Sequence, residues 1–176
     1  MKSELTSLLL LLTILFHGAQ AQESDLANSE EEKNIFSLAL AYTFIPAATT
    51  QDNIQEGHFV PGIGLDYFRR INPQFELGIM ADIELGSYLI PRNNDLIRDK
   101  ALVIALVGSY AFSESWAIFL GPGFELERHH SFPIFRLGTE YLFTLPNAHF
   151  IPLGIFYDAK EGYDAWSICL GYGIRF

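Results

Sequence analysis

A histidine and a serine in the second half of the chain have the spacing that could support catalysis. His129 and Ser131 are separated by one residue. A serine beside a histidine, with a carboxylate that orients the histidine, is the minimum set for nucleophilic acyl transfer. Glu140 follows closely enough to be a candidate for that carboxylate. One hypothesis is therefore a hydrolase that uses His129, Ser131 and Glu140, and the alternative is that this segment is a polar loop.

The same segment also offers ligands for a metal ion. Oxygen and nitrogen donors are present at Glu125, Glu127, His129 and His130. Adjacent histidines on a strand point to opposite faces, so both could bind one ion only from a loop. Cys169 is the single cysteine, which excludes a disulfide within the chain and a site built on two cysteines. We predict no metal and no cofactor.

The C-terminal residues indicate what kind of element positions these side chains. Between Trp166 and Phe176, large apolar residues alternate with small or polar ones. The apolar set is Trp166, Ile168, Leu170, Tyr172, Ile174 and Phe176, and the other set is Ser167, Cys169, Gly171, Gly173 and Arg175. Side chains alternate between faces along a strand, so one face suits lipid and the other a polar interior. This pattern is typical of an outer-membrane β-barrel strand.

The N-terminal residues predict export. Lys2 precedes a short apolar run at residues 8–16, and an Ala-Gln-Ala sequence at 19–21 fits a signal-peptidase site. The run is too short for a membrane-spanning helix, which needs about 20 residues. We predict a cleaved signal peptide at 1–21, an acidic flexible periplasmic lead-in at 22–34 and one barrel domain at 35–176.

Eight strand-like stretches fill the barrel domain. They are predicted at residues 35–46, 58–71, 75–90, 100–112, 116–128, 133–145, 149–160 and 165–176. Tight turns at 72–74, 113–115 and 146–148 alternate with other connections, which include longer loops at 47–57 and 91–99. An open sheet edge would leave backbone groups unpaired in lipid. The predicted fold is therefore all-β, an eight-stranded antiparallel up-and-down transmembrane β-barrel.

Charged residues fall on the inward face of these stretches, whereas the lipid-facing sets carry no charge at mid-strand. The inward charges are Asp66, Arg70, Glu76, Asp82, Glu84, Glu125, Arg136, Glu140, Asp158 and Arg175. They allow two interpretations. One is a network of ion pairs and hydrogen bonds that closes the lumen around packed side chains. The other is a hydrated, acid-lined path that would prefer cations.

The chain resembles the small eight-stranded outer-membrane barrels of the OmpX type and the outer-membrane β-barrel domain family. The resemblance covers residues 35–176 and rests on the signal, the strand count and the ending Gly171-Tyr172-Gly173-Ile174-Arg175-Phe176. It implies that Tyr172, Ile174 and Phe176 act as a recognition signal for the barrel-assembly machinery. It also implies contact with outer-membrane lipid and lipopolysaccharide.

Together these patterns predict a non-enzymatic protein of a Gram-negative outer membrane, with a structural role or a narrow, cation-preferring passage. One alternative is a lipid A-modifying acyl hydrolase, because outer-membrane lipid A deacylases use His, Ser and Glu on a barrel wall; the rest of their motif is absent here. Another is a surface barrel that binds a ligand. A net charge of −10 argues against nucleic acid as a partner, and we predict a monomer.

Overall fold

The strands of the chain close into a barrel. The computed structural model describes residues 32–49, 57–91, 95–128 and 130–176. Within these ranges the elements are β1 Asn34–Ile45, β2 His58–Asn72, β3 Phe75–Glu84, β4 Ser87–Ile90, β5 Leu96–Asp99, β6 Leu102–Ala111, β7 Trp116–Leu126, β8 Phe132–Thr144, β9 His149–Lys160 and β10 Tyr163–Arg175. No helix among the described residues is long and apolar enough to cross a membrane.

Eight of these strands form the wall, in the order β1-β10-β9-β8-β7-β6-β3-β2. Every neighbouring pair is antiparallel, and β1 closes the barrel by pairing with β10, where Leu40 lies opposite Leu170. The start of the first barrel strand and the end of the last one meet at one rim, since Asn34 and Phe176 exchange backbone hydrogen bonds of 2.8 Å. We call this rim the turn end and the opposite one the loop end. The predicted eight-stranded antiparallel barrel is confirmed.

The alternation of side chains places apolar residues on the outside of the wall. In β7 every second residue from Trp116 to Leu126 is exposed, and the residues between them are buried. Leu40 is 70% exposed although it lies in the middle of β1. The exposure of so many large apolar side chains would be unfavourable in water, but it is favourable in the hydrocarbon of a bilayer. The outward faces predicted from the sequence are therefore the observed ones.

A hairpin at the loop end departs from the predicted strand pattern. The stretch predicted at 75–90 breaks after Glu84, and the loop predicted at 91–99 contains a strand. β4 and β5 pair only with each other, apart from a bridge between Thr49 and Leu89. The last β3–β6 pair is Ile83 with Leu102, and the first β4–β5 pair is Ser87 with Asp99. The segment from β3 to β4 between these pairs is one residue longer than the segment from β5 to β6. Such an extra residue bends a ladder, so the hairpin leaves the cylinder.

Two prolines interrupt the ladder without shifting it. The pairs of β6 with β7 are missing opposite Pro122, and those of β9 with β10 are missing opposite Pro152. The register is the same on both sides of each gap. Proline has no N–H to donate, so a local loss of pairing is the direct consequence. No β-bulge is found at either position.

The barrel domain begins close to where the sequence placed it. β1 starts at Asn34, one residue before the predicted boundary at 35. The predicted signal peptide and most of the predicted lead-in lie outside the described residues. Both remain predictions.

Candidate functional site

The lumen at the loop end is closed by an arginine that the hairpin contributes. Arg98 of β5 is 0% exposed. Its Nε donates to Oε1 of Glu125 on β7 at 2.5 Å, and a second guanidinium nitrogen also contacts that carboxylate. Its Nη1 donates to the backbone carbonyl of His130 at 2.7 Å and lies 3.6 Å from Glu127. A buried guanidinium is stable only when several acceptors bind its N–H groups. Because those acceptors belong to β7 and the segment after it, Arg98 holds the hairpin against the wall.

A buried lysine extends this contact across the barrel. Nζ of Lys160, on β9, lies 3.1 Å from Glu84 and 2.6 Å from Glu125. The hydroxyl of Tyr163 donates to the Glu125 carboxylate at 2.6 Å. We call Arg98, Glu125, Lys160, Glu84 and Tyr163 the loop-end network. Its members come from β3, β5, β7, β9 and β10, so it joins much of the wall through charge-assisted hydrogen bonds.

Tyr88 of the hairpin completes the closure of this end. Its hydroxyl donates to Glu84 at 2.7 Å, and its ring packs edge-to-face on Tyr163 with centroids 6.5 Å apart. Burial, and then the nearby charge of Glu84, raise the pKa of Tyr88 above its ordinary value. The phenol therefore stays neutral and keeps the proton that it donates.

A second charged group lies deeper in the lumen. Arg136 of β8 binds Asp158 with two parallel hydrogen bonds of 2.7 and 2.8 Å and reaches Asp82 at 2.5 Å. Asp82 lies on β3 and Asp158 on β9, so the guanidinium connects separate parts of the wall. A bidentate arginine–carboxylate pair has a fixed geometry as well as a large attraction. This part of the lumen is therefore occupied by a rigid ion-pair triad.

Aromatic rings fill the lumen next to that triad. Phe119 packs edge-to-face on Phe68 and on Phe156, with centroids 5.6 and 5.8 Å apart. The three rings come from β7, β2 and β9, so they meet across the interior. The Arg136 guanidinium lies over the Phe156 ring, 5.7 Å from its centroid. An interior that side chains can fill is expected for eight strands.

Glycines on the wall make room for these rings. A Cβ added to Gly138 would overlap Cδ1 of the Phe156 ring and lie 2.7 Å from its Cε1, and one added to Gly154 would lie 2.6 Å from the same ring. Both distances are shorter than carbon atoms tolerate. The glycines that the sequence places on the inward face therefore serve close packing here.

A cavity remains at the turn end. Its volume is about 120 Å³, and Phe68 and Phe119 are among its lining residues. Four acidic residues line it, namely Asp66, Glu76, Glu114 and Glu140, and two arginines, Arg70 and Arg175. The exposed turn residues Pro73 and Glu114 also border it, so it opens at the turn end. We call this space the turn-end cavity.

Comparison with known proteins gives a match in structure only. No family model matches the chain, and no curated protein matches it in sequence. Ail, the attachment invasion locus protein of Yersinia pestis, shares 15% identity at a TM-score of 0.52, over 83% of this chain and 99% of Ail. Neisserial surface protein A shares 14% identity at a TM-score of 0.53, over 81% of this chain and 97% of that protein. OprG of Pseudomonas aeruginosa shares 10% identity at a TM-score of 0.50, over 82% of this chain and 98% of OprG.

The chain has the fold of a small eight-stranded outer-membrane β-barrel. That fold class was predicted from the sequence and is confirmed. Sequence identity this low carries no information on activity. What the barrel does must therefore be argued from its own side chains.

All ten charged residues predicted to face the lumen do so in the barrel. Five of them are buried: Asp66, Glu84, Glu125, Arg136 and Asp158. The other five are partly buried: Arg70, Glu76, Asp82, Glu140 and Arg175. Arg70 pairs with Glu76 at 3.2 Å, next to the turn-end cavity. The charges thus divide into groups at the loop end, in the middle and at the turn end.

Sequence reasoning missed three members of the loop-end network. Arg98 was assigned to a loop, and Tyr163 lies just before the predicted start of the last strand. Lys160 lies in a predicted strand, two residues after the inward Asp158, and that spacing was sufficient to place it in the lumen. With Arg98 and Lys160 included, the interior has more bases than the sequence predicted, so its acidic excess is smaller.

The predicted hydrolase set is not assembled in the described residues. Ser131 is exposed in the connection before β8, at the loop end. Glu140 lies on β8, faces the lumen and borders the turn-end cavity. A strand rises about 3.3 Å per residue, so the two are separated by most of the barrel height. His129 lies outside the described residues.

The remaining predicted sites are on the outside of the barrel or partly outside the described residues. Tyr172 and Phe176 are exposed, and Ile174 is partly exposed on the same face of β10. No group of three His, Cys, Asp or Glu among the described residues is arranged to hold a metal ion. Because His129 is not described, this finding does not test the segment from Glu125 to His130.

Proposed function

We propose that this barrel is a non-enzymatic, structural protein of the outer membrane whose lumen is sealed. The observation that carries the proposal is the position of Arg98, which is fully buried between the hairpin and the wall. Below it, the Arg136 triad and the three phenylalanine rings occupy the lumen in turn. A hydrated path would have to displace all three layers.

Buried ion pairs make this closure specific. Opening the loop end would separate Arg98 and Lys160 from their carboxylates, which costs several kcal/mol per uncompensated charge, about 3 to 5. The network therefore supports one closed arrangement rather than a lumen that opens by thermal motion. We expect the hairpin to face the cell exterior, since the start of the first barrel strand and the end of the last one lie at the opposite rim.

Current recordings in planar bilayers test the proposal. The refolded wild-type protein should give no conductance steps. A variant in which a short turn replaces residues 87–99, combined with Arg136→Ala, Phe119→Ala and Phe156→Ala, should conduct, because all three layers are then removed. A wild-type channel of steady conductance would overturn the structural role.

A narrow, cation-preferring passage is the second candidate. The acidic character of the turn-end cavity favours it, because Asp66, Glu76 and Glu140 outnumber the arginines there. If wild type conducts, reversal potentials in a KCl gradient should indicate preference for K⁺. Anion selectivity would remove this candidate as well.

The export and assembly steps belong to the same proposal. We expect cleavage after Ala21, recognition of the C-terminal strand by the barrel-assembly machinery, and contact with lipopolysaccharide as a monomer. Mass spectrometry of the protein from outer membranes would give the first residue of the mature chain. A mature chain that keeps residues 1–21 would contradict the signal peptide.

A further inference from the structure

The turn-end cavity contains two buried charged atoms that have no partner. Oδ1 of Asp66 and Nε of Arg175 are the buried side-chain nitrogen and oxygen atoms without a hydrogen bond in the described residues. Both residues line the cavity. Asp66 is only 7% exposed, and its other oxygen accepts from Ser37 at 3.1 Å. Buried charged atoms are normally paired, so each indicates a missing interaction partner.

A second carboxylate in the cavity is also unpaired. Glu140 takes part in no hydrogen bond or ion pair with another described residue. Asp66 lines the same cavity. Of the other two acids at the cavity, Glu76 is paired with Arg70 and Glu114 is exposed in a turn. The carboxylates of Asp66 and Glu140 thus lack a partner cation among the described residues, in a space that Phe68 and Phe119 border.

The chemistry of this space favours an ammonium group over a metal ion. No group of three His, Cys, Asp or Glu is arranged for a metal among the described residues. An ammonium group has three donors and needs fewer charged acceptors. Asp66 and Glu140 supply carboxylate oxygens, and Ser37 and Ser109 supply hydroxyls among the other lining residues. About 120 Å³ is enough for several water molecules or for a small organic cation.

We infer that the turn-end cavity binds the ammonium group of a small primary amine between Asp66 and Glu140. The ligand enters from the turn end, because the cavity opens there and the phenylalanine rings close its other side. Its source is an alkylamine or an amino acid. For an amino acid, the free Nε of Arg175 is the donor that would take the carboxylate. This binding goes beyond the structural role, because it requires no passage through the lumen.

Nuclear magnetic resonance titration of the ¹⁵N-labelled full-length mature protein in detergent micelles tests this inference. The probes are ethylammonium chloride, alanine, and tetramethylammonium chloride as a matched cation without N–H donors. Ethylammonium should cause saturable shifts of the Ser37, Ser109 and Glu140 amides and leave that of Arg98 unchanged. Tetramethylammonium should cause none that saturate. The absence of saturable shifts with ethylammonium and alanine, or equal shifts with tetramethylammonium, would overturn the site.

Variants locate the ammonium group. Asp66→Asn and Glu140→Gln should each weaken ethylammonium binding about tenfold or more, since each removes a charged hydrogen-bond acceptor. Asp164→Asn is the matched control, because this carboxylate is exposed at the loop end. Unchanged affinity in both cavity variants would overturn the inference, and if either variant fails to fold, the wild-type titration still decides it. Arg175→Gln separates the two sources, because it should weaken alanine binding and leave ethylammonium binding unchanged.

Discussion

Arg98 and Glu125 form a buried ion pair that connects the outer hairpin to the barrel wall, with Nε of the arginine 2.5 Å from Oε1 of the glutamate. Neither side chain has any exposed surface. Removing one member would leave the other charged and without solvent, which is much more costly than losing a surface pair. The pair therefore determines where the hairpin lies.

Replacing Arg98 should destabilise the barrel strongly. We expect Arg98→Ala to lower the free energy of unfolding by up to about 3 to 5 kcal/mol, because Glu125 would keep only Lys160 as a cation and the hairpin would lose its ion pair with the wall. Urea unfolding in lipid vesicles, followed by tryptophan fluorescence, measures this change. Arg69→Ala is the control, since Arg69 is exposed at the turn end of β2, and it should cost less than about 1 kcal/mol. Equal losses in the two variants would contradict the role of the buried pair.

The position of Arg98 also shows where reasoning from the sequence ends. The two-residue period identifies which side chains face lipid in every barrel strand, because lipid on one side and a packed lumen on the other enforce it. Strand β5 of the hairpin does not continue the alternation of β6. Because there is one extra residue between β3 and β4, the pairing of β4 with β5 is shifted by one residue relative to that of β3 with β6. As a result, the even-numbered side chain Arg98 of β5 is buried, whereas the buried side chains of β6 are odd-numbered.

Contacts across the lumen are a second feature that the sequence pattern does not predict. The pattern gives the face of Phe68, Phe119 and Phe156, but their meeting depends on strands that are far apart in the sequence. Whether such a lumen is packed or hydrated is decided by three-dimensional complementarity, which alternation does not encode. Lys160 is different, since its two-residue spacing from the inward-facing Asp158 was sufficient to predict that it faces the lumen.

Filling the space at Gly138 should disturb the aromatic layer. We expect Gly138→Ala to cost about 1 to 3 kcal/mol, because the new methyl group would overlap Cδ1 of Phe156 and lie 2.9 Å from the Ile155 carbonyl. Gly108→Ala is the matched control, since its Cβ would meet only the edge of Phe75, at 3.3 Å. Unfolding free energies of both variants check the difference. If Gly138→Ala is as stable as wild type, the packing around Phe156 is looser than described.

A charge on the outer face should cost more at mid-strand than at the rim. Leu106 is 53% exposed at the centre of β6, and Phe112 is 56% exposed just after its end. We expect Leu106→Lys to lower the free energy of unfolding by about 2 to 4 kcal/mol and Phe112→Lys by about 1 kcal/mol or less. Reversible unfolding in vesicles gives both values. A water-facing outer surface would make the two costs similar and small, which would contradict insertion in a bilayer.

The C-terminal phenylalanine should matter more for assembly than for the stability of the finished barrel. Phe176 is 57% exposed, and its structural contribution is mainly the backbone exchange with Asn34, which a substitution leaves in place. We therefore expect Phe176→Ala to reduce the folded protein in outer membranes several-fold, while the purified variant refolds in detergent with nearly wild-type stability. Heat-dependent gel migration of membrane fractions measures the folded share. Phe112→Ala removes a comparably exposed ring without altering the C-terminal strand, so an equal loss in that control would indicate a general need for aromatic residues at the membrane surface instead of a specific assembly signal.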